Sequence, residues 1–362
     1  MEALQMSELI TIQSKVNGAY TVSFINDLSN QLAKDVEDGN CIFIIDETIT
    51  KLFGADLSAV ISKGRYVLVS SNEQNKTMDY TQEVIRKLLD LNVRKNDALV
   101  AIGGGITQDI VAFISSILFR SVEWRFYPTT LLAQCDSCIG SKSSINFDQY
   151  KNLIGTFNPP SKIFIYTDFL NTLTESEIRS GIGEMLHYFF TEGIELAQQI
   201  SDEYEQLLTN RALLSKFISN SLRIKKHIIE IDEFDTSIRH IFNYGHTFGH
   251  AIEAITHYAI PHGQAISIGM DLANYISLQR GILSEQDFEK MHEILNKNIP
   301  PFKFTKENLD AYCIALSRDK KNKGNQLGSI LSYGPGNVKK VFIDIDESLR
   351  EIFLTYSEKF GK

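Results

Sequence analysis

Three short, almost uninterrupted apolar runs, at residues 41–45, 66–69 and 98–102, do most to limit what this chain can become. Strands that are apolar on both faces must be covered on both, which is the pattern of a parallel sheet between helices. A helical pattern over 78–91 separates the second run from the third, as a crossover between parallel neighbours requires. Further strands are predicted at 123–127, ended by Pro128, and at 162–166, after the Pro159-Pro160 turn. Beyond Thr174 the texture changes. Thr174-Glu-Ser-Glu177 has the form of a capping box, and apolar stripes at helical spacing run through 184–190, 197–208, 213–231 and 248–255. With 362 residues, 43% of them hydrophobic, the chain is longer than one core usually grows. The expectation is an α/β domain over 1–173 followed by a mainly α-helical domain over 174–362.

Charge and cysteine usage narrow the function. A net charge of −9 and a pI near 5.5 argue against a broad nucleic-acid surface, since phosphate backbones call for clustered cations. The densest basic run is the short Lys320-Lys321-Asn-Lys323. Cys41, Cys135, Cys138 and Cys313 include one CxxC, but no second one completes a zinc knuckle, so they read as free thiols. No leader-like or membrane-length apolar segment is present, and a cytoplasmic enzyme is expected.

Chemistry concentrates in the second half. His246, His250 and His262 fall within seventeen residues and are flanked by glycines. Imidazole is a favoured ligand of divalent metals, and the four-residue spacing of His246 and His250 stacks them on one helix face. His262 is expected to return from a neighbouring turn. In the first half, Gly103, Gly104 and Gly105 follow the 98–102 strand and precede a helix-like stretch from about Asp109, a place where backbone N–H groups can approach a pyrophosphate. The usual GxGxxG spacing is absent. Asp46, at the end of an earlier strand, is either a ribose acceptor or a helix cap. The polar, glycine-rich passage from Thr129 to Gly155 reads as site-lining loops, with Lys142, Lys151 and Asn152 as donors for an oxygen-rich anion. Arg239 is suited to bidentate capture of a carboxylate or phosphate.

These pieces, in order, resemble 3-dehydroquinate synthase. They are GGG-x3-D (103–109), Phe119-Arg120, PTTLLAQ-x-DS (128–137), K-x8-KN-x-IG (142–155), S-G-x-x-E (180–184), R-x3-N-x-GHTFGHAIE (239–253) and His262-Gly263. The resemblance runs over residues 40–335 and implies an N-terminal Rossmann-like NAD domain, a helical C-terminal domain, a divalent metal, usually zinc with cobalt as an alternative, and a homodimer. Carried over by position, it implies Glu184, His246 and His262 as metal ligands, with His250 turned toward the substrate phosphate. It implies NAD contacts from Asp46, Glu73, Lys76, Gly103, Gly104, Gly105, Asp109, Thr129, Thr130, Lys142, Lys151, Phe169 and Thr172. Asp136, Lys142, Asn152, Lys225, Arg239, Asn243 and His250 would surround the substrate, and Arg120 would reach into the partner's site. Lys320 or Lys321 would close over the phosphate.

The activity so implied is a carbon–oxygen lyase of aromatic amino acid biosynthesis (the shikimate pathway). It converts 3-deoxy-arabino-heptulosonate 7-phosphate, a phosphorylated 2-keto sugar acid, to 3-dehydroquinate and phosphate through transient NAD-dependent oxidation. Arg239 and Asn243 favour a carboxylated substrate, because cyclases of substrates without a carboxylate typically lack both. Three positions depart from the family pattern: His187 stands where lysine is general, His262-Gly263-Gln264 replaces HGE, and Gly140-Ser141-Lys142 replaces Gly-Gly-Lys. They leave open a related cyclase with a modified substrate, such as the amino analogue. More distant alternatives are a metal-dependent alcohol or glycerol dehydrogenase and a non-catalytic binding protein.

Overall fold

In a computed structural model, the described residues are 9–148, 150–319, 321–324 and 326–362, and they form two compact units. Residues up to 173, together with Lys225–Phe234, make the first; Thr174–Ile224 and Asp235–Lys362 make the second.

The first unit is built on a seven-stranded sheet. Its strands are β1 (Leu9–Ser14), β2 (Gly18–Phe24), β3 (Cys41–Asp46), β4 (Arg65–Val69), β5 (Ala98–Gly103), β6 (Glu123–Pro128) and β9 (Lys162–Ile165), in the order β1-β2-β9-β6-β5-β3-β4. All neighbours are parallel except β1 and β2, which form an antiparallel hairpin. Along β3, Cys41, Phe43 and Ile45 pack with Ala98, Val100 and Ile102 of β5 into one core cluster, while Ile42 and Ile44 are equally buried. That two-sided burial is the physical reason for the continuous apolar runs. The helices Met78–Asp90 and Gly105–Ile117 are the crossovers that carry the chain into and out of β5.

The passage 129–155 is not the set of loops expected from its polarity. A π-helical turn, Ala133–Ser137, leads into an antiparallel hairpin of β7 (Lys142–Phe147) and β8 (Tyr150–Phe157). Most of β8 faces solvent, which is why its sequence has no strand-like apolar alternation.

The second unit is mainly helical. Thr174 and Glu177 form both bonds of the capping box, opening the helix Glu175–Glu192. The helices His246–Ile255 and His262–Gln279 follow, with Gly245 in the left-handed conformation (φ +79°) just before the first and Pro261 just before the second. His262 is thus the first residue of a helix, where a turn was expected. A hairpin of β10 (Gln326–Ser332) and β11 (Val338–Asp344) adds strands that the helical texture of this half does not reveal.

Candidate active site

The three helices of the second unit that carry the histidines and Glu184 touch backbone to backbone, because glycine stands where they meet. A Cβ added at Gly183 would lie 1.9 Å from the Gly263 carbonyl oxygen, and one at Gly263 would lie 1.8 Å from the Ser180 oxygen. Gly269 likewise abuts the Gly245 oxygen at 2.0 Å, and Gly249 the Ala265 oxygen at 2.9 Å. These glycines bring side chains far apart in sequence to one point.

Glu184 Oε1 lies 3.0 Å from His262 Nε2 and 3.7 Å from His246 Nε2. His246, His250 and His262 each have a ring nitrogen within 4.8 Å of the others. Glu184 is 2% exposed, and its Oε1 is faced by the Nε2 atoms of His262 and His246. A buried carboxylate oxygen is costly to leave unmatched, and a cation between these atoms would match it. The far side of each imidazole fits as well. His246 Nδ1 is 3.2 Å from the Tyr244 carbonyl, and His262 Nδ1 is 3.2 Å from Glu253 Oε2. Each contact fixes a proton on Nδ1 and turns the Nε2 lone pair toward Glu184, the arrangement in which metal-binding histidines are oriented by outer partners. Burial, against the pull of Glu184, pushes His246 down to about 3, keeping it neutral. Burial also opposes a charge on His262, but Glu184 and Glu253 overcome it and hold the ring well above the usual histidine range; a divalent cation would displace that proton. The chemistry of the donor set therefore fits a divalent metal.

Glu253 was not singled out in the sequence, although it lies on the same helix as His246, seven residues on, and so on the same face. His187, one turn beyond Glu184, is 1% exposed; its Nδ1 is 3.8 Å from Glu184 Oε2, and its ring centroid is 5.0 Å from that of His246. Gln264 is buried and donates to the Asn298 carbonyl. Arg239 is buried, Asn243 donates to the His240 carbonyl, and Asn243 and Lys321 share a small cavity with His240, Gly328, Ile330 and Lys340. Lys321 Nζ is 3.6 Å from Asp319 Oδ2 and 3.5 Å from Thr247 Oγ1. Lys320 lies outside the described residues.

In the first unit, Lys225 is buried and its ammonium bonds both Asp136 Oδ1 (2.8 Å) and the Asp136 carbonyl (2.7 Å). Lys76 joins Asp109 Oδ2 (2.5 Å) to Asn152 Oδ1 (2.6 Å), and Asp109 also accepts from the Ser144 amide. Glu73 accepts from Asn146 and lies 3.8 Å from Lys151. Gly103, Gly104 and Gly105 end β5 and open the next helix; Gly103 leaves no room for a Cβ against Thr107 (2.2 Å), and its carbonyl accepts from the buried Thr129. Thr130 caps the amide of Ala133. Asp46 caps the helix Glu47–Leu52 by accepting from the Thr48 amide. Phe169 is packed in the core against Phe53 and Tyr166, with Thr172 donating to its carbonyl. Lys142 is exposed at the start of β7, and Arg120 is exposed between Phe119 and Ser121, all three of these last residues in the left-handed region. The four cysteines are free and buried. No helix among the described residues is long and apolar enough to cross a membrane.

Family profiles of the 3-dehydroquinate synthase N-terminal and C-terminal regions match residues 66–180 and 181–322. The 3-dehydroquinate synthase of Alkaliphilus metalliredigens is 33% identical over 344 residues, covering 93% of this chain and 96% of that protein. The chain belongs to the 3-dehydroquinate synthase family. A second 3-dehydroquinate synthase, from Thermoanaerobacter sp., is 30% identical over 95% of this chain and 99% of its own length. Among solved structures, the 2-epi-5-epi-valiolone synthase ValA of Streptomyces hygroscopicus, with NAD+ and Zn2+ bound, matches with a TM-score of 0.84 at 24% identity, covering 97% of this chain and 99% of that one. A 2-deoxy-scyllo-inosose synthase, complexed with carbaglucose-6-phosphate, NAD+ and Co2+, matches at 0.85 and 22% identity, covering 96% and 100%. An iron-containing alcohol dehydrogenase matches at only 0.63 and 15% identity, covering 96% and 98%. At these identities the structures establish a shared fold, and the 3-dehydroquinate synthase relatives establish the family.

Proposed function

We propose that this chain catalyses the 3-dehydroquinate synthase reaction, expelling phosphate from 3-deoxy-arabino-heptulosonate 7-phosphate and closing its carbon chain into 3-dehydroquinate. The observation that carries this reading is the approach of Glu184 Oε1 to the Nε2 atoms of His262 and His246, at 3.0 and 3.7 Å respectively, in a chain 33% identical to a 3-dehydroquinate synthase. Bound NAD would borrow a hydride from the substrate and return it within one turnover, while a divalent cation held by Glu184, His246 and His262, zinc in the first instance and cobalt in the second, would polarise substrate oxygens.

The side chains supply position and charge. Arg239, planar and buried, would grip the carboxylate, with Asn243 beside it. His250, Lys321 and Lys142 would meet the phosphate and screen the charge that builds as it leaves. Asp136 and Lys225, bound to each other, would hold substrate hydroxyls together with Asn152, so that the aldol closure is intramolecular in a fixed geometry. Residues 1–173 would hold NAD, through the loop of Gly103, Gly104 and Gly105 and through Asp46, Glu73, Lys76, Asp109, Thr129, Thr130, Lys151, Phe169 and Thr172. Residues 174–362 would hold metal and substrate. Arg120, on its exposed left-handed turn, would act in the site of a partner subunit in a homodimer. The cytoplasm and the aromatic pathway are the corresponding setting.

The test is release of inorganic phosphate from the heptulosonate phosphate by protein loaded with NAD and zinc. One phosphate per turnover with no net NADH is expected; NADH accumulation would mark an alcohol dehydrogenase, and bound cofactors without turnover a binding protein. One observation favours a second reading, a cyclase of the amino analogue: a buried His187 beside Glu184 and His246, where the family generally has lysine. If His187→Lys raises activity on the heptulosonate phosphate by more than about tenfold, the natural substrate is a different molecule.

A further inference from the structure

Ser141 lies in the left-handed region at φ +68°, directly after Gly140 at φ +108°. An L side chain crowds its own backbone there, so glycine is the ordinary occupant, and Gly-Gly-Lys is the family pattern at a place where this chain has Gly140-Ser141-Lys142. The turn is nevertheless held at three points. Its hydroxyl donates to Glu233 Oε1, its carbonyl accepts from the Asn158 amide at 2.6 Å, and the Gly140 amide before it donates to the Tyr20 hydroxyl at 3.2 Å. Glu233 is 3% exposed, and its carboxylate also accepts from Ser14 Oγ and from the Lys15 amide, each at 2.6 Å. All these residues belong to the first unit, which Lys225–Phe234 joins from farther down the chain. The next residue is Lys142, the first of β7.

We propose that Glu233 is a positioning residue for Lys142. Its buried carboxylate, through the Ser141 hydroxyl, holds serine in a backbone conformation that glycine adopts unaided, and so fixes the direction in which Lys142 leaves the turn; the role rests on the reading of Lys142 as a substrate contact. A hydrogen bond to a buried side-chain oxygen is the kind of restraint that a strained conformation needs in order to persist. A glutamate that only secured the turn at Ser14 and Lys15 would be indifferent to the residue at 141. A latch acting through Ser141 is not.

Steady-state kinetics of the full-length, NAD- and zinc-loaded protein on the heptulosonate phosphate separate the two. Glu233→Ala is expected to raise KM about tenfold with kcat within about threefold, and addition of Ser141→Gly to bring KM back to within about threefold of wild type. An unchanged KM in folded Glu233→Ala, or no recovery in the double variant, overturns the proposal. Should Glu233→Ala fail to fold, Ser141→Ala and Ser141→Gly decide it: alanine keeps the strain without the hydroxyl and should show the raised KM, glycine should not, and equal behaviour of the two defeats the latch. If wild type releases no phosphate, the functional reading falls instead. Amide hydrogen exchange over residues 139–146 then decides the latch alone, with exchange about tenfold faster in Ser141→Ala than in wild type expected and equal rates refuting it.

Discussion

At the scale of single residues, the candidate metal centre depends on what stands behind it as much as on its nearest atoms. Glu253 meets the outer nitrogen of His262, at 3.2 Å, and that contact selects the tautomer that turns Nε2 toward Glu184. Glu253→Ala should therefore fold and still lose metal affinity, by about 10- to 100-fold, measured as zinc retention against a competing chelator. Glu184→Gln is a sharper case, since it leaves an amide in a pocket built for an anion; activity and tight zinc binding should vanish together, read by phosphate release and metal analysis. The two carboxylates differ in how visible they are in sequence. Glu184 emerges through the S-G-x-x-E resemblance, whereas Glu253 is marked by little more than its helical register with His246.

Elements meet in this protein through glycines. At the crossing of Glu175–Glu192 with His262–Gln279, both Gly183 and Gly263 face opposing backbone at under 2 Å from where a methyl would sit, so nothing flexible can yield. Gly263→Ala should destabilise the second unit by ~3 kcal/mol or more, seen as a lower urea midpoint, whereas Gly281→Ala, at φ +68° with nothing within 4 Å, should cost only the strain of its backbone, ~1 kcal/mol. In the first unit, Arg125 is buried against Asp35 at 2.5 Å, with the Tyr127 hydroxyl on the same carboxylate. Asp35→Ala leaves that guanidinium to the half-exposed Asp38 and Glu123, each at 3.3 Å, and should cost ~3 kcal/mol by the same measurement. Elements buried on both faces, such as β3 and β5, were legible because two-sided burial leaves continuous apolar runs of strand length. The hairpin of β7 and β8 was not: Gly155, pressed 2.1 Å from the Ser143 carbonyl by its would-be Cβ, and the exposed Tyr150, Lys151 and Asn152 read as loop chemistry. Asp46 shows the converse limit, since a strand-end acid that caps the following helix carries the same letters as one awaiting a ribose.

For the molecule as a whole, the sequence motifs and the compact units answer different questions. The histidines and Glu184 all fall in the second unit, so zinc that binds them should protect that unit from unfolding: at 100 times the dissociation constant the gain is about 2.7 kcal/mol, visible as slowed amide exchange in 174–224 and 235–362. Equal protection throughout 9–148 would refute a site confined to those side chains. Lys225–Phe234 has a separate consequence for anyone recombining relatives of this enzyme. A single crossover near residue 173 would import Lys225 and Glu233 from one parent and leave Asp136 and Ser141 from the other, so a viable chimera has to exchange that ten-residue excursion along with the first unit, by three junctions instead of one.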